Sequence, residues 1–169
     1  MATDRLFFAL RPDAVAATHV HALASRLRDV YALSGQPLLL EHLHVTLCFL
    51  GDHEGLSPKL VAEADAAGRH LRGVPFELSF DRIMSFRRKR NPPLVLCREG
   101  SCAPLVLLRH QLGVPDPQQF TPHVTLLYDR RMITLQEVAP ISWRVIEVLL
   151  IRSYIGQTRH EVLGRYPLG

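Results

Sequence analysis

The tetrapeptide His-Val-Thr-Leu occurs twice, at residues 44–47 and again 79 positions later at residues 123–126. Apolar residues continue each copy, Cys48-Phe49-Leu50 after the first and Leu127-Tyr128 after the second. Such runs favour extended chain. Each copy also follows a stretch with helical spacing. One motif strand in each half of a 169-residue chain suggests two related lobes.

Residues two apart on a strand share a face. His44 and Thr46 then point one way and Val45, Leu47 and Phe49 the other; His123 and Thr125 likewise oppose Val124, Leu126 and Tyr128. Each strand buries an apolar face and presents one imidazole beside one hydroxyl. This register makes Phe49 and Tyr128 core residues. It puts Cys48 at the far end of the histidine face, as a structural residue.

The remaining pattern reads as a strand at 4–10, then a helix over 13–33 capped by Asp13, with Val15, Val20, Leu23, Leu27, Val30 and Tyr31 as its apolar face. A strand over 38–50, broken near Glu41, runs to a turn at Gly51-Asp52; Ser57-Pro58 opens a helix that ends near Gly73. Strands at 75–84 and 94–98 flank a basic loop, a short helix covers 103–112, and a Gly/Pro connector covers 113–117. Strands at 123–128, 142–152 and, beyond a turn at Gly156, 158–165 complete the chain. This mixed order with hairpins predicts an α+β fold rather than a doubly wound sheet. No low-complexity linker divides it, so residues 1–169 read as a single two-lobed domain.

With 47% hydrophobic and 21% charged residues, the composition argues against disorder. No apolar run approaches the ~18 residues of a membrane span, and no signal-like segment opens the chain. Cys48, Cys97 and Cys102 form no CxxC pair, which argues against a disulfide framework or zinc cluster and for reduced thiols in the cytoplasm. The net charge of +4 permits an anionic substrate without requiring one.

If the two motif strands lie side by side with their polar faces on one groove, the site holds two imidazoles and two hydroxyls. That set suits in-line displacement at phosphorus: one imidazole takes a proton from water and the other gives one to the departing oxygen. The hydroxyls of Thr46 and Thr125 would hold the non-bridging oxygens. Neither metal nor cofactor is needed. The residues alone leave open which histidine plays which part.

Other histidine motifs carry less. His42-Leu43-His44 has metal-like spacing but no carboxylate cluster nearby, so a zinc site is set aside. His19 and His21 diverge on a helix. His160-Glu161 lacks the second histidine of HExxH and reads as an edge-strand pair. The run Arg87–Arg90 reads as a solvated hairpin tip that could also steer RNA phosphates.

The extended motifs, Glu41-His42-Leu43-His44-Val45-Thr46-Leu47-Cys48-Phe49-Leu50-Gly51 and Phe120-Thr121-Pro122-His123-Val124-Thr125-Leu126, together with the opening Arg5-Leu6-Phe7-Phe8-Ala9-Leu10, resemble the two-histidine (2H) phosphoesterase superfamily. Within it, the chain is similar to the RNA 2′,3′-cyclic phosphodiesterases long labelled 2′-5′ RNA ligases. The resemblance implies two pseudo-symmetric lobes, each an antiparallel-rich sheet with helices on its outer face, and a groove between them. It implies His44 as proton donor to the leaving 3′ oxygen, His123 as the base that activates water, and a 2′-phosphomonoester product. The implied partner is RNA or an oligonucleotide with a 2′,3′-cyclic phosphate end, with no membrane and no obligate protein partner. Two positions depart from the family pattern: His42 stands where Asn is common, and Tyr128 where Arg is common. Arg130 is the expected substitute cation, with Arg131 as the other choice. The competing readings are a non-catalytic RNA-end-binding module, a phosphodiesterase for a small cyclic nucleotide, and reversible 2′-5′ ligation at the same site.

Overall fold

A computed structural model describes residues 1–114 and 120–169. The chain runs β1 (Asp4–Leu10), α1 (Ala14–Val30), β2 (Val45–His53), α2 (Pro58–Arg69), β3 (Phe76–Ser85), β4 (Pro93–Cys97), α3 (Ala103–Gln111), β5 (His123–Tyr128), β6 (Gln136–Val145), β7 (Glu147–Tyr154) and β8 (Arg159–Pro167). Two four-stranded sheets result, ordered β2-β1-β7-β8 and β5-β4-β3-β6. Every pairing within them is antiparallel. The fold is therefore α+β with two lobes. The units β1-α1-β2 and β4-α3-β5 repeat one plan, in which a strand and a helix lead to an edge strand carrying one motif.

Alternation on β1 separates two faces. Leu6, Phe8 and Leu10 enter a core that continues through Val20, Leu23 and Leu27 of α1, Leu78 and Phe80 of β3, and Leu105 and Leu108 of α3. Phe7 and Ala9 face the other way and pack with Leu149 and Ile151. Two helices interlock the lobes, α1 packing on β5 and β6 and α3 on β2, while α2 packs on β7 and β8. Asp13 caps α1 by accepting from the Ala16 amide at 2.8 Å, and Ser57 caps α2 by accepting from the Leu60 amide at 3.1 Å.

Several boundaries differ from the sequence reading. Helix α1 stops at Val30, because Ala32 turns left-handed at φ 49°. Val15 and Val30 are exposed rather than buried. Helix α2 ends at Arg69, short of Gly73. Residues 38–44 are not strand; they include a 3₁₀ turn at Leu40–His42, and β2 begins only at Val45. Gly51-Asp52 does not turn the chain. Gly51, at φ 109°, lies in an irregularity of the β1–β2 ladder, and β2 continues to His53. The predicted strand at 142–152 is two strands in different sheets, β6 and β7, meeting at exposed Ile146. The proline in β6, Pro140, is tolerated because β6 is an edge strand. Part of the 113–117 connector lies outside the described residues.

Candidate active site

The motif strands β2 and β5 are edges of different sheets that adjoin each other. They are not neighbours in one sheet. The chain entering the first motif bridges them, with the Leu38 amide donating to the Leu126 carbonyl at 2.9 Å. Gly35 permits this approach, since a Cβ there would run into the Tyr128 carbonyl.

Each motif strand carries a bulge at the same place. In the β1–β2 ladder Ala9 faces Thr46 and Phe8 faces Cys48, so Leu47 is the extra residue. In the β4–β5 ladder Val95 faces Thr125 and Leu94 faces Leu127, so Leu126 is the extra residue. Both bulge carbonyls find partners outside the ladder. Leu47 O accepts from Arg109 Nη1 at 2.6 Å, and Leu126 O accepts from Leu38 N. An extra residue reverses the alternation beyond it. Phe49 and Tyr128 therefore turn to the histidine face, and Cys48 and Leu127 turn inward. This corrects the reading of Phe49 and Tyr128 as core and of Cys48 as sharing the histidine face.

One cavity of about 420 Å³ collects His44, Thr46, His123 and Thr125. Arg5, Phe49, Arg88, Tyr128, Ser153 and His160 complete much of its wall. The two histidines are held alike. His44 Nδ1 lies 2.7 Å from the His42 carbonyl, and His123 Nδ1 lies 2.8 Å from the Thr121 carbonyl. A carbonyl can only accept, so each Nδ1 carries the proton and each Nε2 is released for chemistry. A phenylalanine backs each ring: Phe7 stacks on His44 with centroids 5.0 Å apart, and Phe86 meets His123 edge-on at 4.7 Å.

Burial pushes the His44 imidazolium down to about 4, against the opposing effect of its hydrogen bond to the His42 carbonyl; nearby Arg11 and His123 add to the depression. Burial likewise lowers His123, opposed by its bond to the Thr121 carbonyl. Both rings are thus neutral near pH 7 in the free protein.

The sequence-predicted cations fall elsewhere. Arg130 lies outside this cavity, in a neighbouring one with Arg88, Lys89 and Arg90. Arg131 donates to the Tyr31 carbonyl at 2.7 Å. The cations in the histidine cavity are Arg5 and Arg88. Arg5 is fixed by a two-pronged contact with Asp52, at 2.7 and 2.9 Å. The alternation of Arg5-Leu6-Phe7 could have put Arg5 beside Phe7 on the groove face; no sequence signal separates Arg88 from its basic neighbours.

His160 is a second missed residue. It stacks on buried His42 with centroids 4.2 Å apart and meets His44 edge-on at 5.6 Å. Burial, then His42, His44 and Arg11, drive its imidazolium down to about 3. It does sit on an edge strand, β8, but its ring lines the cavity. These rings meet through their faces and edges, and among the described residues no His, Cys, Asp or Glu group of three or more is arranged to hold a metal ion.

Known proteins share this architecture. An RNA 2′,3′-cyclic phosphodiesterase of Escherichia coli is 28% identical over 180 residues, spanning 98% of this chain and 97% of that protein. The crystal structure of Escherichia coli LigT with phosphate matches at 25% identity and a TM-score of 0.78, over 99% of each chain. The same protein with 3′-AMP matches at 26% identity and a TM-score of 0.78, over 98% of each chain. The sequence model of the 2′-5′ RNA ligase superfamily covers residues 12–155, both histidine motifs included, and the chain belongs to that family.

Proposed function

We propose that this protein hydrolyses 2′,3′-cyclic phosphate ends of RNA or oligonucleotides to 2′-phosphomonoesters, by paired-histidine acid/base catalysis without a metal. The observation that carries the reading is the matched pair of imidazoles, each with Nδ1 tied to a carbonyl two residues back, in one cavity with two threonine hydroxyls. In the reaction His123 Nε2 takes a proton from water as the water oxygen bonds to phosphorus. The P–O3′ bond breaks, and His44 Nε2 gives its proton to O3′. Thr46, Thr125, Arg5 and Arg88 hold the non-bridging oxygens in line. The assignment of donor to His44 and acceptor to His123 follows the family resemblance. Since His44 is neutral in the free protein, the anionic diester must raise its proton affinity on binding. A 5′-hydroxyl in place of water gives 2′-5′ ligation at the same atoms, and bulk water favours hydrolysis in dilute solution.

The core running through both sheets supports treating residues 1–169 as one catalytic domain. No helix among the described residues is long and apolar enough to cross a membrane. Three free, buried cysteines accord with a reducing, cytoplasmic setting.

The test is turnover of an oligonucleotide ending in a 2′,3′-cyclic phosphate. His44→Ala and His123→Ala should each lose at least ~10²-fold in kcat, the scale of a missing acid or base. Full activity in either variant removes the mechanism. Chelator should leave the rate unchanged; abolition with recovery on adding zinc would favour a metal site. Tight binding without any conversion at high enzyme concentration would make the protein an end-binding module instead.

A further inference from the structure

Beside the histidine cavity lies a second one of about 640 Å³, lined by Arg88, Lys89, Arg90 and Arg130, with Asn91, Pro92 and Met132. Arg88 belongs to both, so the two share a wall. No carboxylate lines the second cavity. Among the described residues none of its four cations takes part in a salt bridge, whereas Arg5, Arg69, Arg82, Arg152 and Arg165 each hold a carboxylate. The acidic residue next in sequence to Arg130 does not neutralise it. Asp129 is buried, and its carboxylate accepts from the Ser34 and Gly35 amides at 2.7 and 2.8 Å and from the Arg131 amide at 2.8 Å. The cavity is also framed by fixed backbone. The Asp129 amide donates to Pro92 O at 3.1 Å and the Phe86 amide to Pro93 O at 3.0 Å.

A 2′,3′-cyclic phosphate closes the 3′ end of a chain, so the rest of an RNA substrate must leave the histidine cavity on its 5′ side. We propose that the Arg88–Arg90/Arg130 cavity holds the phosphodiester backbone immediately 5′ of the cyclic phosphate. It thereby makes the protein select polynucleotide ends over cyclic mononucleotides. This rests on the proposed function and narrows its substrate. Four cations without protein counter-charges match a run of phosphates, which gains from counterion release and carries no base preference.

The experiment compares cytidine 2′,3′-cyclic phosphate with a hexanucleotide bearing the same end. In the wild type kcat/KM for the hexanucleotide should be at least ~10-fold higher at low salt. The advantage should shrink as salt rises, with each neutralised phosphate adding about 0.7 to the logarithmic slope. A Lys89→Gln/Arg90→Gln double variant should lose most of that advantage through KM, while mononucleotide turnover stays within about twofold, because neither side chain lines the histidine cavity. Equal kcat/KM for the two substrates, or an advantage untouched by the double variant, overturns the proposal. Fluorescence anisotropy with a 2′-phosphorylated hexanucleotide separates the two ideas. If neither cyclic substrate turns over, hydrolysis is the wrong function, yet binding weakened by the double variant still supports the backbone site. Binding insensitive to that variant refutes it.

Discussion

At the scale of single residues, the protonation of two rings governs the proposed chemistry. The proposed mechanism needs one proton shared between His44 and His123, yet burial lowers both, His44 to about 4. Near neutrality the free protein holds both rings neutral, and the singly protonated form grows as pH falls. The pH profile of kcat/KM, which reports the free enzyme, should therefore peak below the ordinary histidine value of about 6.5. Bound diester carries negative charge and raises both rings, so the kcat profile should peak at higher pH than that of kcat/KM. The limbs belong to the pair rather than to either ring. A kcat/KM that climbs steadily from pH 5 to 8 would contradict this. That these two rings share one cavity was legible in the repeated motif. The cation was not: Tyr128 occupies the family's usual arginine position, and Arg5 and Arg88 reach the cavity from a distant strand and a loop.

At the scale of elements, the paired bulges shape the site. Leu47 and Leu126 each add a residue to an edge strand, and this exposes Phe49 and Tyr128 on the groove face. A bulge needs donors for the carbonyl it displaces. Arg109 of α3 supplies one for β2, and the Leu38 amide supplies the other for β5. The second depends on the backbone passing close to β5 at Gly35. Gly35→Ala should cost about 1–3 kcal/mol, as an overpacked site does, because the clashing atom is backbone rather than a flexible side chain. Its urea midpoint should fall with an unchanged m-value; an unaltered midpoint would mean that the loop relocates freely. Strict alternation predicts the faces of His44 and Thr46 correctly and fails from Leu47 onward. Nothing in Leu-Cys-Phe or Leu-Leu-Tyr marks an extra residue, because the bulge is fixed by the partner strand.

At the scale of the molecule, the groove stores uncharged imidazoles. Burial depresses His42, His44, His123 and His160, with His160 down to about 3. The unfolded chain protonates these rings near 6.5, so between roughly pH 6.5 and 3 it binds more protons than the folded one. Stability must therefore fall as pH drops through that window. The carboxylates held low by hydrogen bonds, such as Asp4 and Asp129, add their loss mainly below about 4. The melting temperature should drop between pH 7 and 4.5, and His160→Phe, which keeps a ring against His42, should flatten that drop. A melting temperature that is level across this range in the wild type would show that the rings charge without penalty. The sequence by itself determined the α+β class, the order of most elements, and the two histidine–threonine pairs, since strand alternation and local propensity act over a few neighbouring residues. Tertiary structure alone decided that the strand predicted over 142–152 divides between two sheets at Ile146, that the motif strands meet as edges of separate sheets, and that Arg130 lines a second cavity. Those outcomes depend on which distant segments pair and pack, and no short window of sequence contains its own partner.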